Sequence, residues 1–457
     1  MPVICYSNIA STLHVCDATV EASDSTGAGY NGLSPMPLEI SARLSDSRID
    51  AGAAESQRML YVALSAPVGT AGALPLNLGL VLDKSGSMHG VALDCVRAAA
   101  SHIVRNMSER DTVTVVAFND EPELVVPHRI VTDPAIVEGA VNRLKAGGGT
   151  CMDAGMDMAL KELRKSLAPK FLAEAVPAQP GLASVNRILV LTDGHNQHGD
   201  DQRCIALAKK AVKENVTFST FGIGEKFSVD VLREVANAGN GMLHHVASAR
   251  HIEEAFLAEF KSVKGVGATR VRLRVRLADG VELGTRDPIC MVSPSIVVQD
   301  HERDGSLCTV NLGDLPADGP AILLVTLYAQ GKAAGSHDVA WVEAVYEDAA
   351  GTGIHQPLPI AAEWTTSYVP HLDDEVQKAV ARMAIYKQRQ KAIAVAASNP
   401  EMARTMLQSA TELAGQAGNE ELRTVLQATL TELQRDGRIS DRTMIQGEVA
   451  SRTVLGQ

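Results

Sequence analysis

Aromatic residues are scarce: Phe, Trp and Tyr make up 4% of the 457 residues. So few rings exclude the stacking platforms that receive single-stranded nucleic acid, and sugar-binding aromatic shelves with them. Positive charge is also in deficit, with 42 Lys+Arg against 54 Asp+Glu for a formal charge of −12. Non-specific attraction to nucleic acid or anionic lipid is thereby excluded. Cysteine is sparse and unpatterned. Cys5, Cys16, Cys95, Cys151, Cys204, Cys290 and Cys308 are an odd, scattered set without a C-x-x-C pair, unlike a disulfide framework or a structural zinc site. No run approaches the roughly 20 apolar residues of a membrane span, and residues 1–17 lack the basic start, apolar stretch and cleavage site of a secretory signal. Reduced thiols in the cytoplasm are the expectation. The chain has no G-x-x-x-x-G-K-[ST] and no H-E-x-x-H, so it is neither a P-loop ATPase nor an H-E-x-x-H zinc protease.

What is present is enough to fold. Apolar residues are 46% and charged residues 21%, and at about 100–200 residues per domain the length predicts two to four units. Residues 1–36 have little periodicity and are read as an irregular segment. Residues 37–70 contain two alternating stretches, 38–44 and 59–64, that read as half-buried strands. From Leu76 apolar strands alternate with amphipathic helices, the pattern of a doubly wound, mostly parallel α/β sheet, which is assigned to residues 71–262. Within it, 175–180 reads as a surface excursion.

Strands without helices return over residues 263–370. The clearest, 271–277, alternates apolar residues with arginine, and the region reads as an all-β sandwich. If the strands of 37–70 complete this sandwich, the α/β domain is inserted into it. Residues 371–440 read as a helical segment, with Asn399-Pro400 and Gly418-Asn419 as caps. The polar stretch 441–457 is expected to be a flexible tail, in which Thr443 and Thr453 follow arginines as phosphorylation sites would.

The sharpest chemical signal lies where the first buried strand ends, in Asp83-Lys84-Ser85-Gly86-Ser87. In an open α/β sheet, ligands bind beyond the carboxyl ends of the strands, so a tight turn there aims Asp83, Ser85 and Ser87 at one point. Gly147-Gly148-Gly149-Thr150 leads a helix toward that point, and the apolar strand 188–191 ends in Thr192-Asp193. Three hydroxyls and two carboxylates, with no thiolate or imidazole, are hard oxygen ligands. They favour Mg²⁺, then Mn²⁺ or Ca²⁺, over zinc.

In these residues the chain resembles the von Willebrand factor type A (VWA) family, whose metal-ion-dependent adhesion site reads D-x-S-x-S, then Thr, then Asp. The resemblance covers about residues 76–260 and implies that Asp83, Ser85, Ser87, Thr150 and Asp193 form the metal shell. In such a shell the hydroxyls bind directly and the carboxylates act largely through water, so an open position can accept Asp or Glu from a partner protein. The implied function is metal-dependent protein binding without catalysis. The alternatives are an adaptor or assembly factor for a MoxR-type AAA+ ATPase, a metal-dependent hydrolase, and a structural protein with an empty site.

Other candidates have plainer readings. His195, His198 and Asp200 form an exposed loop rather than a second metal site. His244-His245 places one ring in the sheet and one in solvent. Cys151 is a packed thiol, Gly222-Ile223-Gly224 is a structural turn because Phe227 stands where a dinucleotide fingerprint needs glycine, and the arginine row is a solvated face. Met88, His89 and His195 are assigned to the rim of the site by adjacency.

Overall fold

The stretches before residue 66 form β1 (Glu39–Leu44), β2 (Arg48–Asp50) and β3 (Glu55–Ser65). β3, expected to be half-buried, is covered on both faces, because Met59 and Tyr61 pack with Val376 of the helix Asp374–Val395 while Leu60 and Val62 face the other core. The computed structural model describes residues 38–66, 74–167, 183–224, 227–316, 319–349 and 351–452. The expectations for residues 1–36, for the excursion at 175–180 and for Thr453 lie outside the described residues.

The next strands are β4 (Leu76–Asp83), β5 (Thr112–Phe118), β6 (Pro122–Ile130), β7 (Val185–Thr192), β8 (Thr217–Ile223) and β9 (Asn240–Val246). β4, β5, β7 and β8 are buried at every position, as a sheet covered on both faces requires. Their order is β6-β5-β4-β7-β8-β9. All neighbours are parallel except β6, which runs antiparallel to β5.

Alternate residues of β4 feed opposite cores. Leu78, Leu80 and Leu82 pack with α1 (Val91–Arg105), α2 (Pro134–Val141) and the helix Ile252–Lys264. Val81 faces α3 (Met152–Leu167) and the helices Asp201–Lys213 and Val229–Ala238. β4 is therefore central, with β5 on one side and β7 on the other. Its carboxyl end is the switch point of the sheet.

After residue 268 come β10 (Thr269–Leu277), β11 (Val281–Leu283), β12 (Ile289–Ser293), β13 (Val297–Val298), β14 (His301–Asp304), β15 (Leu307–Gly313), β16 (Ala321–Gln330), β17 (Gly335–Asp348) and β18 (Gly351–Thr365). One sheet has the order β1-β3-β16-β12-β13, with β11 also on β16, and the other β14-β15-β10-β17-β18-β2. Leu60, Val62 and Val325 from the first share one core with Leu273, Val342 and Trp364 from the second. Because β3 pairs with β16 from Ala321↔Leu64 to Gln330↔Glu55, the early strands complete sheets made mostly after residue 268. The α/β domain is thus inserted between β3 and β10.

β18 escapes sequence reading because Pro357 and Pro359 interrupt it. These prolines are tolerated because β2 pairs only with Glu363–Thr365, leaving the proline stretch at a free edge. On β10 every second residue is buried, while Arg270 pairs with Glu347 at 2.9 Å and Arg274 with Glu343 at 3.2 Å.

The chain ends in four helices, Asp374–Val395, Pro400–Gln416, Glu420–Asp436 and Asp441–Arg452. Asn399 and Asn419 cap the second and third by accepting from Met402 N and Leu422 N. Residues 441–452, expected to be a flexible tail, are helical. The polarity that suggests a solvated tail serves packing instead, for Glu448 and Ser451 are buried. No helix among the described residues is long and apolar enough to cross a membrane.

A buried ionic cluster ties the α/β domain to the sandwich. Arg187 of β7 reaches Glu259 at 3.4 Å and Asp314, just after β15, at 3.3 Å. Ser219 donates to Glu259 at 2.6 Å, and His244 Nε2 lies 3.1 Å from it. Burial alone would raise the Glu259 carboxyl, but His244, Arg187 and Ser219 outweigh it and hold the group at about 2, below its usual 4.5. Its stabilising contribution is therefore complete above pH 4.5 and is lost as pH falls toward 2. Glu259→Ala, which leaves Arg187 buried with one partner fewer, is expected to cost about 3–5 kcal/mol at pH 7. It should also flatten the acid limb below pH 4.5; urea unfolding across pH checks both.

Candidate metal centre

The site begins with the chain leaving the sheet. Beyond β4 the backbone must turn sharply between the ends of β5 and β7, and Lys84 N donates to Phe118 O at 2.8 Å while Gly147 N donates to Lys84 O at 2.9 Å. Gly86 N then donates to Gly148 O at 2.9 Å, so the Ser85-Gly86-Ser87 turn is stitched to the glycine loop before Thr150. Gly148 adopts φ +83°, and a Cβ there would lie 2.4 Å from Asp120 Oδ2. The left-handed φ favours glycine, whereas the Asp120 carboxylate could swing aside.

The side chains converge on this frame. Asp83 is 0% exposed, Ser85 2% and Thr150 3%. Ser85 N donates to Asp83 Oδ1 at 2.7 Å, the Ser85 and Ser87 hydroxyls are 3.0 Å apart, and Ser87 Oγ donates to Asp193 Oδ1 at 2.6 Å. Asp83, Ser85, Ser87 and Asp193 are thus joined by one hydrogen-bond chain. Thr150 stands two residues past the Gly148 carbonyl that binds Gly86. It lines a small cavity with Thr192, Gly194 and Asn196, whose opposite wall is Ser228, Val231 and Leu232 from the start of the helix Val229–Ala238.

Asp83 shows how well a cation would fit. Its carboxylate is fully buried, and its neighbours are neutral donors: Thr192 Oγ1 at 2.6 Å and the Ser85 amide at 2.7 Å. Burial pushes its carboxyl up to about 6 against the pull of those bonds, and the nearby Asp193 adds to the rise. A carboxylate so desolvated, beside a second one and three hydroxyls, is a set of hard oxygen donors lacking positive charge. Among the described residues no group of three or more His, Cys, Asp and Glu is arranged to hold a metal. Asp83, Ser85, Ser87 and Asp193 offer oxygen donors without thiolate or imidazole, the kind of donor a hard cation takes.

Several residues of the frame were not singled out in the sequence. Thr192 orients Asp83. Asn119 Nδ2 donates to Gly147 O at 2.7 Å, and Gly149 N donates to Asp120 Oδ1 at 3.0 Å. Asn196 Oδ1 accepts from Met152 N at 2.8 Å, fixing the start of α3. Asn119 and Asp120 follow the apolar stretch 112–118, so the strand-end rule that found Asp83 applies to them equally.

The rim differs from the assignment by adjacency. His89 and His195 are exposed, but Met88 is buried in the core against α1, because the turn Gly86–Met88 is helical and points it inward. Asp200 caps the helix Asp201–Lys213 by accepting from Arg203 N at 3.1 Å. His198 lies 3.7 Å from Asp120. His244 and His245 are both half-buried, the first stacked on Phe221 and the second 2.9 Å from Gly224 O. A Cβ on Gly222 would fall 2.4 Å from the Phe227 ring, which accounts for that glycine by packing. Burial raises the Cys151 thiol, keeping it protonated.

Comparison with known proteins agrees with this fold. Residues 77–258 match the von Willebrand factor type A domain, and residues 374–457 match the Sll0103-like, C-terminal alpha-helical domain. The chain is 33% identical over 425 residues to uncharacterized protein sll0103 of Synechocystis sp., across 92% of this chain and 98% of that protein. Among solved structures, a von Willebrand factor type A protein from Catenulispora acidiphila aligns over 91% of this chain and 97% of its own, with a TM-score of 0.75 at 18% identity. The ArnB paralog VWA2 from Sulfolobus acidocaldarius aligns over 91% and 98%, with a TM-score of 0.53 at 14% identity. At these identities the two structures share the fold.

If Asp83 is a charge buried for a cation, its neutral isostere relieves the strain. Asp83→Asn is expected to raise stability in EDTA by about 1–2 kcal/mol and to abolish any rise in Tm on adding Mg²⁺. Thermal unfolding with and without metal checks this; a variant less stable than wild type in EDTA contradicts it.

Proposed function

This chain belongs to the Sll0103-like family of von Willebrand factor type A proteins, and on that premise we propose that it is a metal-dependent protein-binding module without catalytic activity. The observation that carries this reading is the hydrogen-bonded chain Asp83–Ser85–Ser87–Asp193 beside Thr150, with one fully buried carboxylate and, among the described residues, no salt bridge to it. Ser85, Ser87 and Thr150 are the residues that would hold a hard divalent ion directly, Mg²⁺ in the cell with Mn²⁺ or Ca²⁺ as substitutes. Asp83 and Asp193 balance its charge. A bound ion supplies an electrophilic positive charge that an Asp or Glu of a partner protein can neutralise.

The protein's own residues prepare that encounter. Thr192 and the Ser85 amide fix the Asp83 carboxylate, so its charge is preorganised rather than mobile. The Gly86–Gly148 bond keeps two loops from spreading as a partner approaches. Ser87, His89 and His195 are exposed, as is Val91, 61% exposed at the start of α1, so polar and apolar side chains close in sequence to the site are open to a partner. Recognition by a charged centre with an apolar neighbour suits a protein partner. A cytoplasmic location is part of the proposal, supported by the five described cysteines, all of them free.

Affinity capture with the full chain tests the function. A protein partner retained in millimolar Mg²⁺ is expected to be lost in EDTA and equally lost with Asp83→Ala or Thr150→Ala, each by at least about tenfold, the loss of roughly 1.4 kcal/mol. Identical capture in all four conditions contradicts the proposal. Hydrolysis of generic phosphate or ester substrates by wild type and not by Asp83→Ala would place the protein among hydrolases instead.

A further inference from the structure

The helix Asp441–Arg452 is seated through one buried carboxylate. Glu448 is 2% exposed, and its Oε2 lies 3.0 Å from Arg389 Nη1, 2.6 Å from Gln390 Nε2 and 3.8 Å from Arg233 Nη1. Arg389 and Gln390 belong to the helix Asp374–Val395, whereas Arg233 belongs to the α/β domain. A single side chain thus ties two domains together. Arg389, itself 1% exposed, also donates to Met444 O at 2.7 Å and reaches Ser451 Oγ at 3.4 Å. A Cβ on Gly447 would lie 2.6 Å from the guanidinium, so this glycine is what lets Arg389 lie against the helix.

The same helix inserts Ile445, 2% exposed, into the apolar core that contains Met152, Phe227 and Leu232. Of these, Met152 and Leu232 stand beside the metal-centre frame. Met152 N is bonded to Asn196, and Leu232 and Met152 line the cavity that Thr150, Thr192 and Gly194 share. A continuous packed path therefore runs from Glu448 and Ile445, through the helix Val229–Ala238, to the wall behind the metal-binding loops.

We propose that the helix Asp441–Arg452 is a latch whose seating on Arg233, with Ile445 in the core that also holds Leu232, keeps the Thr150 and Asp193 loops in their binding arrangement. Latch closure and ion binding are then linked reciprocally. This inference rests on the metal-binding reading above and adds its regulation. The latch has two discrete states because the ionic cluster does not loosen by degrees. Lifting Glu448 leaves Arg389 buried without its counter-charge, so the helix is either seated with every bond made or released. An event that draws Glu448 or Ile445 away would loosen the helix Val229–Ala238 and weaken the site. A ligand at the site favours the seated state by the same factor.

The test uses the full chain, with Mn²⁺ as the probe, titration calorimetry for affinity and hydrogen exchange for the latch. In wild type, saturating Mn²⁺ is expected to slow exchange over residues 441–452. Arg233→Gln cuts the tie to the α/β domain while the Arg389–Glu448 pair remains. It should abolish that slowing and raise the Kd for Mn²⁺ at least about fivefold, the lower end of ordinary coupling. Ile445→Ala should do the same through packing, and Arg233→Lys should restore much of the effect. Unchanged exchange in β7 certifies that the variants are folded. Wild-type binding of Mn²⁺ with equal Kd in Arg233→Gln and Ile445→Ala, and with exchange of 441–452 indifferent to metal, overturns the latch and leaves the site standing. Absence of Mn²⁺ binding by wild type overturns the site and the latch together.

Discussion

A carboxylate buried at the end of a central strand is the constraint on which the rest of the site depends. Asp83 closes β4 at zero exposure, and every neighbouring feature serves its placement. Thr192, at the end of β7, donates to one oxygen and the Ser85 amide to the other. The turn that supplies this amide is pinned by the bond from Gly86 to Gly148. Burial costs free energy unless opposite charge is brought to it. The fold accordingly links Asp83, the Ser85 and Ser87 hydroxyls and Asp193 in one hydrogen-bonded chain, with Thr150 buried on the neighbouring loop.

The sequence made much of this legible because the signals were local. Apolar runs at 76–82, 112–118 and 188–191 identify a sheet covered on both faces, and the strand-end rule then points to Asp83 and Asp193. Capping asparagines at 399 and 419 mark helix starts with equal directness. What escaped was set by distant contacts. Met88 sits among polar neighbours in sequence, yet a helical turn directs it into the core. Thr192 reads as the last residue of a strand, and only the register of β4 against β7 shows that it faces Asp83. The prolines of β18 conceal a strand that survives because its edge is free. In residues 441–452 the charged and small residues that suggest a solvated tail are partners for Arg389, on a helix more than fifty positions earlier.

The same contrast explains the architecture. Residues 39–65 cannot form a stable sheet alone, and β3 finds its main partner, β16, only after the whole α/β domain has been traversed. The insertion brings both ends of that domain onto the sandwich, where Arg187, Glu259 and Asp314 fix their relation through buried charge. A second buried ionic cluster, on Glu448, fixes the C-terminal helices to the opposite side of the sheet. Two such clusters make the α/β domain a held element rather than a loosely tethered one.

In the proposed function, Ser85, Ser87 and Thr150, backed by Asp83 and Asp193, hold one hard divalent ion. Anomalous scattering from crystals soaked in Mn²⁺ tests it most directly. The account predicts a single strong peak within bonding distance of the three hydroxyls. A Mn²⁺ peak elsewhere, as between His198 and Asp120, or none at saturating metal, would contradict it.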